Sequence, residues 1–203
     1  AITLYAVMCM AALTGCGGKS DSAKKTAKVI EVDLTDEQYA FGVDKDQPDL
    51  LKEVNQFVKD MKSDGTFDEI CNRYFGDGTP VPVKSAAYDE SKDQLVVATN
   101  AAFEPFEYMD GENYVGIDME IAKALADKLG KELVIQNMDF DAVCLSVGQH
   151  KCDVAMAGLT IKPDREEYVA FSDPYYSASQ KLITLSTDTE FDACKTADDV
   201  NKI

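Results

Sequence analysis

Apolar residues recur along the chain at two spacings, and each spacing predicts one type of element. From Pro48 onward they follow a helical period, which predicts an amphipathic helix that ends near Ser63; the apolar positions are Leu50, Leu51, Val54, Phe57, Val58 and Met61. A second, shorter helix is expected over residues 67–75. Together they require another layer of structure to cover their apolar faces.

Short continuous apolar runs at residues 95–99, 133–136 and 154–157 predict strands buried on both faces. Helices are expected between them, one from an N-cap at Asp118 to Gly130 and one over residues 140–147. Strands and helices that alternate through short connections indicate a parallel α/β sheet. Two further strand-like pieces, residues 28–32 and 38–43, come before the first helix, and the segment 100–116 is interpreted as a loop.

The loops after these three strands hold the candidate site, because open α/β sheets bind ligands at the carboxyl ends of their strands. The residues there are Asn100, Phe103, Phe140, Ala157, Gly158, Thr160 and Arg165. An arginine offers a planar donor fork that matches a carboxylate, and the Gly158 amide and Thr160 hydroxyl can donate to the same anion. The alternative is a surface ion pair between Arg165 and one of its acidic neighbours in the sequence.

The run AGLTIKPDREEYVAFSDPYY, residues 157–176, resembles the signature of the polar amino-acid-binding proteins of ABC importers, the type II periplasmic binding family. TNAAFEPFEY and NMDFDAV are similar to that family as well. The resemblance implies an α/β fold of two lobes, each a parallel or mixed sheet flanked by helices. It also implies that Arg165, Gly158 and Thr160 hold an α-carboxylate while Phe103 and Phe140 pack on the ligand's side chain. It implies no catalytic residue, no cofactor and no metal.

The family's segments stand in an unusual order in this chain. Residues 43–76 resemble the family's ending, whereas its opening begins near residue 94. We therefore expect a circular permutation rather than two concatenated partial copies, with mainly lobe 1 and only the start of lobe 2 present, as a fragment truncated at both ends. The expected divisions are a signal peptide (1–15), a tether (16–28), the permuted part of lobe 1 (29–76), a connector (77–93), the rest of lobe 1 (94–174), and the hinge exit with the start of lobe 2 (175–203). The predicted hinge residues are Tyr39, Ala40, Asp173, Pro174 and Tyr175.

The first thirteen residues are almost entirely apolar and lead into Leu13-Thr14-Gly15-Cys16, which resembles a bacterial lipobox. This predicts a lipid on Cys16 and an extracytoplasmic protein that is anchored to the outer face of the cell membrane. The Gly-, Ser- and Lys-rich residues that follow suit a flexible tether. The alternative is a buried helix that happens to precede a cysteine.

The composition argues against two kinds of binding site, one for nucleic acid and one for zinc. A formal net charge of -17 and no basic patch argue against nucleic-acid binding. An exported protein can keep disulfides, and a bridge between Cys144 and Cys152 is one alternative; buried free thiols, also at Cys71 and Cys194, are the other. A zinc site is not expected, because there is no CxxC pair and His150 is the only histidine.

The sequence therefore predicts a monomeric substrate-binding lipoprotein of an ABC transporter, with a free amino acid and a membrane permease as partners. A polar or small neutral amino acid is expected, since Asn100 stands where many relatives carry Asp. Two alternatives remain open. One is an enzyme on the same fold, similar to cyclohexadienyl dehydratase, for which Glu104 or Glu107 as general acid is only a guess; the other is the sensory domain of a receptor.

Overall fold

The computed structural model describes residues 26–203, which divide into two compact units. The strands, in chain order, are β1 (Ala27–Val29), β2 (Glu37–Tyr39), β3 (Gly42–Asp44), β4 (Gln94–Thr99), β5 (Ala102–Phe103), β6 (Glu107–Asp110), β7 (Asn113–Val115), β8 (Glu132–Asn137), β9 (Val154–Ala155), β10 (Val169–Phe171), β11 (Tyr176–Ala178) and β12 (Ile183–Leu185). The helices are α1 (Pro48–Ser63), α2 (Thr66–Phe75), α3 (Ile117–Leu129), α4 (Phe140–Gly148), α5 (Pro163–Glu166) and α6 (Ala197–Val200). The predicted signal peptide and Cys16 lie outside the described residues.

The larger unit, Gln38–Ser177, is built on a five-stranded sheet in the order β10-β3-β9-β4-β8. The strand β4 runs parallel to both β8 and β9, which confirms the predicted parallel arrangement of these three. Between β9 and β10 lies β3, antiparallel to both. The sheet is therefore mixed, and a strand from early in the chain completes it.

Helices cover both faces of this sheet. Val96 and Ala98 of β4 belong to a core cluster with Val143 and Val147 of α4. The alternate β4 residues point to the opposite face, where α3 packs. Since both faces are covered, nearly every β4 position is buried, and this explains the continuous apolar run.

Most predicted helix ends are confirmed. Pro48 opens α1, where its missing N–H costs nothing, and Gly130 ends α3 in the left-handed conformation. The predicted cap at Asp118 is wrong, because Gly116 is the N-cap and Asp118 is the second residue of α3. The carboxylate of Asp118 is bonded to groups elsewhere in the unit, and the first amides of α3, those of Ile117 and Asp118, donate to the carbonyls of Pro105 and Phe106.

The segment 100–116 is more ordered than predicted. It contains β5, β6 and β7, which form a small antiparallel sheet in that order. Most of its residues are partly or fully exposed, so the segment lacks the apolar run by which the buried strands were predicted.

The smaller unit contains residues 26–37 together with Ala178–Ile203. In it β1 pairs with β12 in antiparallel register, from Ala27 opposite Leu185 to Val29 opposite Ile183, and a capping box of Thr196 and Asp199 opens α6. The chain passes between the units along β2 and β11, which pair with each other. The predicted segment 29–76 thus has residues in both units. Among residues 26–203, none of the helices has the length and apolar character needed to cross a bilayer.

Candidate functional site

The ends of β4, β8 and β9 meet at one edge of the sheet and bring the predicted loops together. After β4, the Asn100 side-chain amide donates to the carbonyl of Met138, 2.7 Å away in the loop after β8. The Ala101 N–H donates to the side chain of Asn137 at 2.9 Å. The first two loops are therefore fixed to each other, and the Asn100 side chain is held by the backbone.

Phe103 lies against the third loop. A Cβ added at Gly158 would stand 2.9 Å from Cε1 of Phe103, so the ring packs directly on the backbone of Gly158. On its other side the ring stacks on Phe106, with 5.6 Å between centroids and 13° between planes. Phe103 keeps 44% of its surface exposed. It therefore offers an apolar surface to solvent although its position is fixed.

Arg165 lies in the short helix α5 and folds back toward the end of β9. Its Nη1 donates to the Thr160 carbonyl at 2.8 Å, and its guanidinium lies 5.1 Å from the ring centroid of Phe140. Among the described residues no carboxylate forms an ion pair with Arg165. The alternative of a surface ion pair with a neighbouring acid is therefore wrong, and Phe140 serves to orient the guanidinium as well as to line the site.

The amide of Gly158 is already engaged. It donates at 2.9 Å to Oδ2 of Asp118, so its predicted role as a donor to a ligand carboxylate needs correction. Ala157 needs a similar correction, because its side chain is 2% exposed and belongs to the core cluster around α4. Of the predicted residues, Phe103 and Phe140 are exposed at this edge, and Asn100, Thr160 and Arg165 are partly exposed.

Two acids behind the site, Asp118 and Glu107, are buried, which the sequence did not predict. Burial raises the pKa of Asp118 to about 6, and the hydrogen bonds from the Gly158 N–H and the Tyr175 hydroxyl (2.5 Å) limit the rise. Burial, with the nearby charge of Asp118, raises the pKa of Glu107 to about 11. Neither oxygen of Glu107 has a hydrogen-bond partner in the described part of the chain, and its surface is 0% exposed. A substrate cannot reach Glu107, so the structure gives no support to it as a general acid.

The predicted hinge residues form two neighbouring segments. The Tyr175 N–H donates to the Tyr39 carbonyl at 2.9 Å. Ala40 and Tyr175 are almost fully buried, and the Tyr175 ring stacks on Phe41 at 4.3 Å. The Asp173 N–H donates to the side-chain Oδ1 of Asn55 at 2.8 Å. The unit boundaries fall just beyond these segments, after Glu37 and after Ser177, and the hinge role stays a prediction.

His150 lies away from these loops, in a left-handed conformation with φ 58°. Its Nδ1 is 2.7 Å from the buried carboxylate of Asp44, and its Nε2 is 3.6 Å from Asp46. These three groups place one possible metal-ligand atom each within 4.8 Å of one another. The hydrogen bond to Asp44 and the charges of Asp44 and Asp46 raise the pKa of His150, and we treat the cluster as an ion-pair network.

The four cysteines of the described residues, Cys71, Cys144, Cys152 and Cys194, are free thiols, in agreement with the second of the two alternatives. Burial raises the pKa of Cys71 to about 12 and also raises the pKa values of Cys144 and Cys152. These three thiols are therefore protonated and unreactive at neutral pH.

A family model for bacterial extracellular solute-binding proteins, family 3, matches residues 13–77 and 95–202, which is most of the chain. The chain belongs to this family. The match confirms the resemblance and, with the mixed sheet and its flanking helices, the fold class.

Several curated relatives are similar over about half of the chain. The arginine-binding extracellular protein ArtP of Bacillus subtilis is 40% identical over 47% of this chain and 38% of its own length. ABC transporter arginine-binding protein 1 of Escherichia coli is 33% identical over 45% of this chain and 38% of its own. A cyclohexadienyl dehydratase of Pseudomonas aeruginosa is 33% identical over 46% of this chain and 35% of its own. This chain therefore spans less than two fifths of the length of these relatives.

Two solved structures also show similarity to part of this chain. An ancestral arginine-binding protein bound to arginine is 42% identical over 42% of this chain and 38% of its own, with a TM-score of 0.40. A Phe57Trp mutant of the arginine-bound form of domain 1 from TmArgBP is 36% identical over 56% of this chain and 90% of its own, with a TM-score of 0.42. The curated relatives thus include several proteins named for amino-acid binding and a dehydratase.

Proposed function

We propose that this protein is the substrate-binding component of an ABC importer for amino acids and that Arg165 holds the α-carboxylate of the ligand. The observation that carries the proposal is the state of this arginine. Its guanidinium is oriented by the Thr160 carbonyl and the Phe140 ring, yet no described carboxylate neutralises it. An oriented guanidinium without an ion-pair partner among the described residues, at the carboxyl ends of the parallel strands β4, β8 and β9, is suited to an incoming carboxylate.

Two exposed aromatic rings supply the apolar part of the site. Phe103 and Phe140 are 44% and 41% exposed; Phe103 stacks on Phe106, and Phe140 lies against the guanidinium of Arg165. They cover the aliphatic part of a ligand side chain at low entropic cost, because the rings are already immobilised. This division of labour, a cation for the carboxylate and rings for the side chain, fits an α-amino acid.

The ligand's side chain is proposed to be polar. Asn100 carries no charge and donates to the Met138 carbonyl, which supports the preference for a neutral amino acid. The relatives, however, are named for arginine and histidine, so arginine and histidine belong among the first ligands to test. A thermal-shift screen of the twenty amino acids on the purified protein ranks them directly.

The permuted order and the lipid anchor also belong to the proposal. The family model matches in two stretches separated at residues 78–94, close to the predicted connector. Residues before that gap supply β3, α1 and α2 to the same unit that β4, β8 and β9 build. In a permuted chain, the segment that completes a lobe comes before the first strand of that lobe, and this order agrees with the proposal. The anchor at Cys16, the permease partner and the monomeric state are proposed from the family resemblance.

The central test is an Arg165→Ala variant, titrated calorimetrically with the best ligand of the screen. Charge-assisted hydrogen bonds contribute about 1.5–3 kcal/mol, so affinity should fall by roughly 10- to 100-fold. Lys162→Ala is the matched control, because Lys162 is an exposed cation that lies three residues before Arg165. Equal affinities of the Arg165→Ala variant and the wild type would remove Arg165 from the site. A protein that binds none of the twenty amino acids would refute the proposed function.

A further inference from the structure

The loop between Gly158 and Arg165 is held in place at several points by distant residues. The Ala40 N–H donates to the Leu159 carbonyl, and the Ile161 N–H donates to the Gln38 carbonyl, both at 3.0 Å. These bonds fix the loop from the side of β2 and β3. On the opposite side, one carboxylate reaches the loop from α3.

That carboxylate belongs to Asp118, in the first turn of α3. Its surface is 0% exposed, and both oxygens accept hydrogen bonds from other elements: Oδ2 from the Gly158 N–H at 2.9 Å and Oδ1 from the Tyr175 hydroxyl at 2.5 Å. These residues are 40 and 57 positions away in the sequence. One side chain therefore joins α3, the loop after β9 and the segment before β11.

A buried carboxylate is costly to the fold unless its hydrogen bonds are good. Desolvation raises the pKa of Asp118, and the buried Glu107 beside it would add a second charge if it ionised. Burial raises the pKa of Glu107 so far that this acid stays neutral at neutral pH. The fold thus keeps one charged acceptor at Asp118 and directs it at the Gly158 amide.

The position of the Gly158 backbone determines the positions of Phe103 and Arg165. Gly158 has φ 52°, and a Cβ added to it would lie 2.9 Å from Cε1 of the Phe103 ring, so the ring packs directly on the Gly158 backbone. Two residues later the Thr160 carbonyl accepts from Nη1 of Arg165. A shift of the Gly158 amide would therefore displace both the aromatic surface and the arginine of the candidate site.

We propose that Asp118 is the positioning residue of the candidate carboxylate-binding site. By accepting a hydrogen bond from the Gly158 N–H, it fixes the loop that positions Phe103 and Arg165. Asp118 itself does not touch the ligand. The proposal rests on the proposed function for its consequence in binding, whereas its structural part concerns the free protein alone. The two parts are measured separately.

The first measurement is amide hydrogen exchange of the free protein by NMR. Gly158 should be protected in the wild type, and Asp118→Ala should accelerate its exchange by at least about tenfold, since the N–H loses its charged acceptor. Asp118→Asn keeps a carbonyl oxygen for Gly158 and an amide that can face the Tyr175 oxygen, so it should restore most of the protection. Equal protection in all three proteins would overturn the proposal.

The second measurement is ligand affinity by calorimetry, at a temperature where circular dichroism shows every variant folded. Asp118→Ala should weaken binding by about tenfold or more, and Asp118→Asn should recover most of that loss. Leu125→Ala, a buried change two turns further along α3, is the control for lowered stability and should leave affinity within about twofold. Similar affinity losses in Asp118→Ala and Leu125→Ala would mean that Asp118 acts only on stability, and the proposal would be wrong.

The two proposals fail in different ways. A wild-type protein that binds no amino acid refutes the proposed function and with it the role of Asp118 in binding, although the exchange data still decide whether Asp118 fixes Gly158. Normal binding in the wild type with undiminished binding in Asp118→Ala refutes only the role of Asp118.

Discussion

Gly158→Ala is the substitution for which the structure gives the clearest expected magnitude. Alanine at φ 52° occupies the left-handed region, at a cost of about 1–2 kcal/mol. Its Cβ would also lie 2.9 Å and 3.0 Å from two carbons of the Phe103 ring, closer than carbon atoms approach. The ring is 44% exposed and can rotate away, at an off-rotamer cost of about 0.5–1.5 kcal/mol. We expect a total loss of about 2–3 kcal/mol in the free energy of unfolding.

The assay is urea unfolding followed by circular dichroism, and Gly130→Ala is the matched control. Gly130 also has a positive φ, 69°, but no atom lies within 4 Å of an added Cβ, so this variant bears only the backbone cost. The difference between the two variants reports the Phe103 contact and should vanish when Phe103 is replaced by alanine in both. Equal destabilisation by Gly158→Ala and Gly130→Ala in the presence of Phe103 would refute the packing of this ring on the Gly158 backbone.

Two further predictions concern other parts of the chain. The hydrogen bond to Asp44, and then the charges of Asp44 and Asp46, raise the pKa of His150, so its contribution to stability is fully present below the unfolded pKa of 6.5 and is lost as pH rises through the higher folded pKa. His150→Gln should therefore flatten the decline of the urea midpoint above about pH 6.5, and an unchanged pH profile would contradict the network. Cys16→Ser should release the protein from the membrane fraction, because Cys16 is the proposed lipid attachment site. A protein that lacks lipid label yet stays in that fraction would refute the anchor.

Elements with strong periodicity could be predicted from the sequence, because their patterns come from burial. The apolar stripe of α1 is its one buried face, and the continuous apolar run of β4 reflects a strand that is buried on both faces. The small sheet of β5, β6 and β7 could not be predicted in this way, since most of its residues are partly or fully exposed and show no continuous apolar run. The position of β3 between β9 and β10 could not be predicted either, because its pairing partners are more than a hundred residues further along the chain.

The candidate site shows the same limit at the level of single groups. Local sequence places three acids within two residues of Arg165, which favoured an ion pair, whereas the structure directs the guanidinium to a carbonyl and a ring. Asp118 precedes an apolar helical face, which favoured a cap, whereas its carboxylate bonds to residues 40 and 57 positions away. Nothing in the neighbouring residues indicates such distant partners. The fact that both acids, Asp118 and Glu107, occur within apolar surroundings is the one signal that could have marked them.

These long-range hydrogen bonds affect how tightly the candidate site can bind a carboxylate. A loop that orders only when a ligand arrives pays for that order from the binding energy, and each immobilised side chain costs about 0.5–1.5 kcal/mol. Here the loop is already fixed by Ala40 and Gln38 on one side and by Asp118 on the other, and the Arg165 guanidinium already has its carbonyl and ring partners. The free protein therefore holds the proposed carboxylate-binding groups close to the geometry that the proposed function requires. It follows that substitutions such as Asp118→Ala should lower affinity without removing any atom that a ligand would touch.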